Sequence, residues 1–420
     1  MNSSRVEANV NKYYLFQFFL NFQLWWPIWI IYLTETRGLT LGQVTLIDVP
    51  FWLSIILLQV PAAALADRFG RKPTLIAASA SFAIAVTAFG LATNFWLIMG
   101  SYLIWGVAFA LLNGTESAFI YDSLKACGRE HEYPRIYGRG WAIQMAAGVA
   151  GTLIGAPLAS ATSLPFPIVL SGGLAAMAVV AAVMFVEPDP SRYESLSANG
   201  EARPRLSYGQ IIGDSMSIFR HRPNIRYGIL FYGVISIGSI APIFLFQPFL
   251  REHGFDVGEM GIWQTPMRVA GIVAALAAQQ IIARFGERGT FIAMPIVIFG
   301  SYLVLAGWDA PAAQVAFLAM NFVVVLSQPT VTNYVNKRVE SEQRATVLSL
   351  ATLGRSAILI PAAPLLGALA EESLTAAFVA GAVLVATLAL PLMLAWAPRL
   401  GRAEGAESLV AKPAAATGGD

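Results

Sequence analysis

Asp67-Arg68-Phe69-Gly70-Arg71-Lys72-Pro73, or DRFGRKP, is a dense charged knot between two long apolar runs. Much later in the chain, Ala283 to Gly289 (ARFGERG) fills the same kind of gap. The match extends upstream without interruption: Gly42 and Pro50 correspond to Gly258 and Pro266, and Arg68-Phe69-Gly70 to Arg284-Phe285-Gly286. Leu41 to Lys72 therefore reads as a first copy of Val257 to Arg288. A period this long marks a duplicated half-protein rather than a solenoid.

The surrounding composition sets the class. The chain is 56% hydrophobic and only 12% charged, whereas soluble domains carry about 25% charged residues. The charges gather in short clusters and leave apolar windows of roughly 20 residues, each long enough to cross a hydrocarbon core about 30 Å thick. This predicts an all-α, polytopic membrane protein. The net charge of +2 is uninformative about partners, and the one cysteine, Cys127, excludes an internal disulfide. Met1 to Lys12 is short and polar, and the apolar run after it is too long for a signal-peptide core, so the first span is expected to act as a retained anchor.

Twelve spans are expected, numbered here helix 1 to helix 12: 13–34, 43–66, 74–92, 96–122, 137–160 and 165–187, then 224–250, 257–283, 290–307, 312–336, 344–368 and 373–397. The organisation is a first bundle over 1–187, a polar linker over 188–223, a second bundle over 224–398 and a disordered tail over 399–420. Lys and Arg fix the orientation. The loops after helices 2, 4, 8 and 10, the linker and both termini hold nearly all of them, whereas only Arg37 and Arg251 lie opposite. Both termini are expected in the cytosol.

Six plus six helices, a basic central loop and the 67–72 knot together resemble the major facilitator superfamily over nearly the whole chain. The family loop pattern, Gly-x-Leu-Ala-Asp-Arg-x-Gly-Arg-Lys, appears as Ala63-Ala64-Leu65-Ala66-Asp67-Arg68-Phe69-Gly70-Arg71-Lys72, with Ala in place of the leading Gly. The second copy lacks the acid. The resemblance implies two pseudo-symmetric six-helix bundles rocking about a central cavity. Pro50 and Pro266 supply bends at matching positions. The run Gly148, Gly151, Gly155, Pro157 in helix 5 is similar to a degraded form of the exporter motif, with close helix packing as the alternative reading. The resemblance also implies a cytosolic gate built from Asp67, Arg68, Arg71, Lys72, Asp122 and basic residues such as Arg135 or Arg139. Topology anchoring is the blander role for those cations.

Charges inside spans are costly and need a partner or a cavity. Asp48 and Arg355 reach similar depth on helices 2 and 11, which are neighbours in this family, and so are expected to pair across the bundle interface. Arg268 on helix 8 faces helix 5, which carries Gln144. Conformational latch, substrate or proton contact, and static pairing are the roles open to these three. Glu116 on helix 4, one turn from Asn113, is the first candidate for proton coupling, with Asp48 the second, because a carboxyl in a partly dry site can carry a proton at physiological pH. Uncharged cavity candidates are Gln17, Asn21 and Trp25 on one stripe of helix 1, Gln247, Gln264 (the second-copy counterpart of Asp48), Asn321, Gln328 and Asn333. The other aromatics of helix 1 are expected to face lipid or other helices.

Absences narrow the reading. No phosphate loop is present. His131, His221 and His253 are scattered without metal spacing, and no nucleophile–base set suggests an enzyme. The sugar-porter signature after helix 6 is missing, and Tyr102 stands where drug–proton antiporters carry an arginine. The expected function is secondary active transport of a small organic solute across the bacterial inner membrane, as proton-coupled export of the efflux type. The alternatives are proton-coupled uptake of an organic anion, suited to Arg268 and Arg355, and a membrane scaffold that transports nothing. Solute, protons and the bilayer are the expected partners of a monomeric chain, with no cofactor, metal or nucleic acid.

Overall fold

In the computed structural model residues 6–188, 220, 222–339, 344–398 and 400 are described, and among them there are helices, turns and loops but no strand. The expected linker and tail lie outside the described residues except for Pro188, Arg220, Arg222, Pro223 and Leu400. Among the described residues ten helices are long and apolar enough to cross a membrane. Two local features separate that number from the twelve expected spans. Helices 8 and 9 run on as Met260–Gly307, turning at Gly286, and helix 1 is interrupted midway.

The turns between helices 2 and 3 and between 8 and 9 keep the duplication in the backbone. Gly70 has φ 96° and ψ 159°, and Gly286 has φ 69° and ψ 169°. Positive φ is open to glycine at little cost. Helix 2 ends at Phe69 and helix 3 starts at Arg71. The amides of Arg71 and Lys72 donate to the Glu187 carboxylate at 2.8 and 2.6 Å, so an acid at the end of helix 6 satisfies the open N-terminus of helix 3. Sequence reasoning passed over Glu187.

Four spans depart from the single helix expected: helix 7 changes pitch between Pro223–Ser236 and Phe246–Glu252, and three others are broken outright. Helix 2 divides into Leu41–Leu46 and Asp48–Phe69; Pro50 cannot donate to Leu46 and its ring crowds that carbonyl. Helix 4 divides at Asn113 and Gly114 (φ 80°) into Phe95–Leu112 and Thr115–Lys125. Helix 1 is helical over Asn9–Asn21, irregular over 22–28 and helical again from Trp29.

Irregular backbone at membrane depth must find partners within the protein. Here Leu24 N donates to Ser171 Oγ (2.9 Å), Ile30 N donates to Gln247 Oε1 (3.0 Å), and Gln247 Nε2 donates to Trp26 O (3.0 Å). The helix 5 glycines complete the seat. A Cβ on Gly151 would lie 2.7 Å from Gln23 O, and one on Gly155 would collide with Leu24 O. The small-residue run therefore admits the backbone of helix 1.

The two halves meet mainly on the face opposite the 67–72 knot. Gly42 N donates to Glu371 Oε1 (2.9 Å), Arg251 pairs with Glu35 (2.8 Å), Gly367 packs on Leu41 O and Thr45, and Gly261 packs on Thr152 and Ala156. These contacts seal that end. Aromatic residues fill both bundles; in the second, Trp396 is fully buried among Tyr227, Phe231, Phe291 and Tyr334.

Candidate functional site

The breaks in helices 1 and 4 open a cavity of about 540 Å³. It extends from Trp29 and Asp48 at mid-depth to Glu116, Ser117 and Tyr137 toward the basic face. Nearly all of its wall comes from the first half; Ile243 and Arg268 represent the second. A further space of about 300 Å³ lies alongside, lined by Trp141, Val149, Met267 and Asn321, and it shares Trp26, Met145, Ile243 and Arg268 with the main cavity.

Glu116 sits in the first turn of Thr115–Lys125, just past the Asn113-Gly114 break, where the helix N-terminus favours an acid. Gln17 Nε2 donates to Glu116 Oε2 (3.1 Å) and to the Tyr13 hydroxyl (2.9 Å). Asn21 Nδ2 in turn donates to Gln17 Oε1 (3.3 Å). Polar groups thus form a chain from Asn21 to the carboxylate along one wall. Trp25 lies in the irregular stretch, yet Gln17, Asn21 and Trp25 all line the cavity, as does Asn113.

The expected Asp48–Arg355 ion pair is not formed; this corrects the sequence reading. Trp52 joins the two instead. Its indole N–H donates to Asp48 Oδ2 (2.7 Å), while the Arg355 guanidinium lies 5.6 Å from its ring centroid. All three surround a small separate space. Arg355 also lies over Tyr232 at 5.8 Å, and its Nε is buried without a hydrogen bond. Sequence depth placed the residues at one level but carried no sign of the intervening indole.

Arg268 lines the cavity beside helix 5, next to Gly148 and Gln144. Its guanidinium is 5.2 Å from the Trp26 ring centroid, its Nε is buried without a hydrogen bond, and no acid pairs with it among the described residues. Gln247 lies off the cavity lining, its amide spent on the helix 1 break. Gln264 is buried off the lining, with Oε1 unpartnered. Asn321 lines the side space and donates to Met267 O (2.7 Å). Gln328 is exposed, away from both spaces.

At the basic face Arg71 and Asp122 form an ion pair, with the acid nearly buried. Asp67, Arg68 and Arg139 are exposed and have no ion pair among the described residues. The matching positions of the second copy, Glu287 and Arg338, also pair, at 2.8 Å, with the charges exchanged.

The aromatic wall was largely missed from sequence. Trp26, Trp29, Phe51, Trp52, Phe82 and Trp105 line the cavity beside Trp25. Trp25 and Trp105 meet edge to face with centroids 4.9 Å apart. The signal existed on helix 4, where Tyr102, Trp105, Phe109 and Leu112 recur at helical spacing and all face the cavity.

A search of curated proteins finds no match for the sequence. Solved structures share the fold at low identity. A mutant of the nucleoside transporter NupG superposes with a TM-score of 0.78 at 13% identity, covering 93% of this chain and 100% of that one. A bacterial homologue of the human lysosomal transporter Spinster, inward-facing and unoccupied, gives 0.70 at 16% identity, over 94% and 97% of the two chains. A POT family transporter in complex with 5-aminolevulinic acid gives 0.69 at 13% identity, over 94% and 96%. The family model of the Major Facilitator Superfamily matches residues 14–364. With its duplicated half, its charged turns and this cavity, the chain belongs to the major facilitator superfamily of membrane transporters.

Proposed function

We propose that this chain is a proton-coupled exporter of a small organic solute, with Glu116 as the group that takes up and releases the proton. The observation that carries the reading is the placement of Glu116: a carboxylate on a broken cavity-lining helix, bonded to Gln17 and reached through Asn21. A volume of about 540 Å³ suits such a solute, since small-molecule sites run from about 300 to 1,000 Å³. Transporters of like fold include one for nucleosides and one that holds 5-aminolevulinic acid, both small organic molecules. The basic face is taken as cytosolic by the distribution of Lys and Arg, so the sealed face is the outer one and the cavity opens inward. Asp67, Arg68, Arg71, Lys72, Asp122 and Arg139 are the proposed gate on the inner face; Arg71 and Asp122 pair within the first half while the cavity opens inward.

A second reading, uptake of an organic anion with protons, draws support from Arg268, which lines the cavity with no acid paired to it among the described residues. The two readings differ in one sign. In proteoliposomes, an exporter moves protons against the solute and a symporter moves them with it. Glu116→Gln should remove the proton movement in either case.

A further inference from the structure

The polar groups of the cavity wall are unevenly satisfied. Both acids already accept an N–H, Asp48 from Trp52 and Glu116 from Gln17. Each acid keeps a second oxygen, whereas three buried donors on the lining have no partner at all among the described residues. The indole N–H groups of Trp29 and Trp105 and the Nε of Arg268 are buried and make no hydrogen bond among the described residues. Trp29 and Trp105 are only 3% and 6% exposed, and both line the cavity with Arg268. A buried donor left unpaired costs about 1–3 kcal/mol, so a ligand that brings acceptor atoms gains more here than one that brings donors.

Around those donors the wall is aromatic. Trp25, Trp105, Phe51 and Phe82 stand edge to face, with Trp105 lying 6.4 Å from Phe51 and 5.6 Å from Phe82 between centroids. Such rings pack best on another ring, by offset or edge contacts. Arg268 already lies over Trp26, and its planar guanidinium matches a carboxylate fork.

We infer that the cavity binds a planar aromatic acid: the ring against Trp25, Trp105, Phe51 and Phe82, and the carboxylate toward Arg268 and the free indole N–H groups. This rests on the transporter reading above and adds the chemical class of its solute. The ionisable groups facing such a ligand are Arg268, Asp48, Glu116, Tyr102 and Tyr137. Of these only Arg268 carries a positive charge.

The test uses three probes that differ in one group: indole-3-acetate, its neutral amide indole-3-acetamide, and the cation tryptamine. Each is titrated into the full chain purified in detergent, with binding read by calorimetry. The acetate should bind at least tenfold more tightly than the other two. Arg268→Gln should remove that preference while leaving the amide within twofold, and Arg268→Lys should keep most of it. Trp105→Phe keeps a ring and deletes the N–H, and should weaken the acetate about threefold to tenfold. Tighter binding of tryptamine, an unchanged preference in Arg268→Gln, or no binding by any probe would overturn the assignment. If tryptamine binds more tightly than the acetate and drives proton movement in proteoliposomes, the acid assignment falls and the transporter reading stands.

Discussion

The two halves of the molecule carry the same ion pair with the charges exchanged. In the first half Arg71, after the turning glycine, meets Asp122 at the end of helix 4. In the second half Glu287, after the matching glycine, meets Arg338 at the end of helix 10. The turn that holds each pair is kept in detail, down to a positive φ at Gly70 and Gly286. The cavity positions have instead diverged. Asp48 in the first copy is Gln264 in the second, and Trp52 is Arg268. The duplication thus preserves a hinge and a clasp, while ligand chemistry is free to become one-sided. The acids and most aromatics sit in the first half, and the cation reaches in from the second.

The sharpest way to break this comparison uses Gly151 and Gly367, which occupy matching positions on helices 5 and 11. Gly151 seats the backbone of helix 1 within its own half, whereas Gly367 touches Leu41 O and Thr45 in the other half. Gly151→Val should cost folding, because overpacking against backbone costs about 1–3 kcal/mol or more, and folded protein recovered by size exclusion should fall severalfold. Gly367→Val should leave the yield within about twofold but abolish transport, by blocking closure of the sealed face. Equal loss of folded protein in both would mean that the two glycines do the same work.

The next effect concerns the clasps. Arg71→Glu leaves Asp122 facing a like charge and should slow solute flux about tenfold, a change of about 1.4 kcal/mol. Adding Asp122→Arg recreates the second half's polarity in the first and should restore most of that flux. If the double substitution stays as slow as the single one, the pair's charge order matters and the two clasps are not interchangeable.

The smallest effect separates Asp48 from Gln264. Gln264 has a buried, unpartnered oxygen and lies off the cavity, so Gln264→Met should leave transport unchanged and raise thermal stability by about 1 kcal/mol or less. Asp48→Asn removes a charge from the cavity wall and should slow transport severalfold with little change in stability.

The fold was largely legible in the chain. Apolar windows of membrane length, the constant register between DRFGRKP and ARFGERG and the sidedness of Lys and Arg all act through strong terms: burial of apolar surface and the cost of charge in lipid. Arg71 and Asp122 belong to the cluster that the family resemblance implied, but the residues themselves did not single them out as a pair, since they stand beside different loops. The cavity was less legible than the fold. Its shape depends on where helices 1 and 4 stop, and Pro27 and Asn113-Gly114 mark those places only weakly. Once helix 1 breaks at Phe22, the four-residue stripe no longer says which way Trp25 points, and Trp26 and Trp29 turn into the cavity as well. Gln247 reads as a polar lining residue on a helical wheel but satisfies the backbone released by that break. Trp52, apolar by composition, intercepts the acid that sequence depth alone had matched to Arg355.

Coupling turns on one carboxylate, and the most direct measurement is internal pH in proteoliposomes while solute is added outside. The purified chain should move protons in a solute-dependent way, and Glu116→Gln should reduce that movement at least a hundredfold while still binding the solute. Solute-dependent proton movement that persists undiminished in Glu116→Gln would contradict the account and assign the coupling to another group.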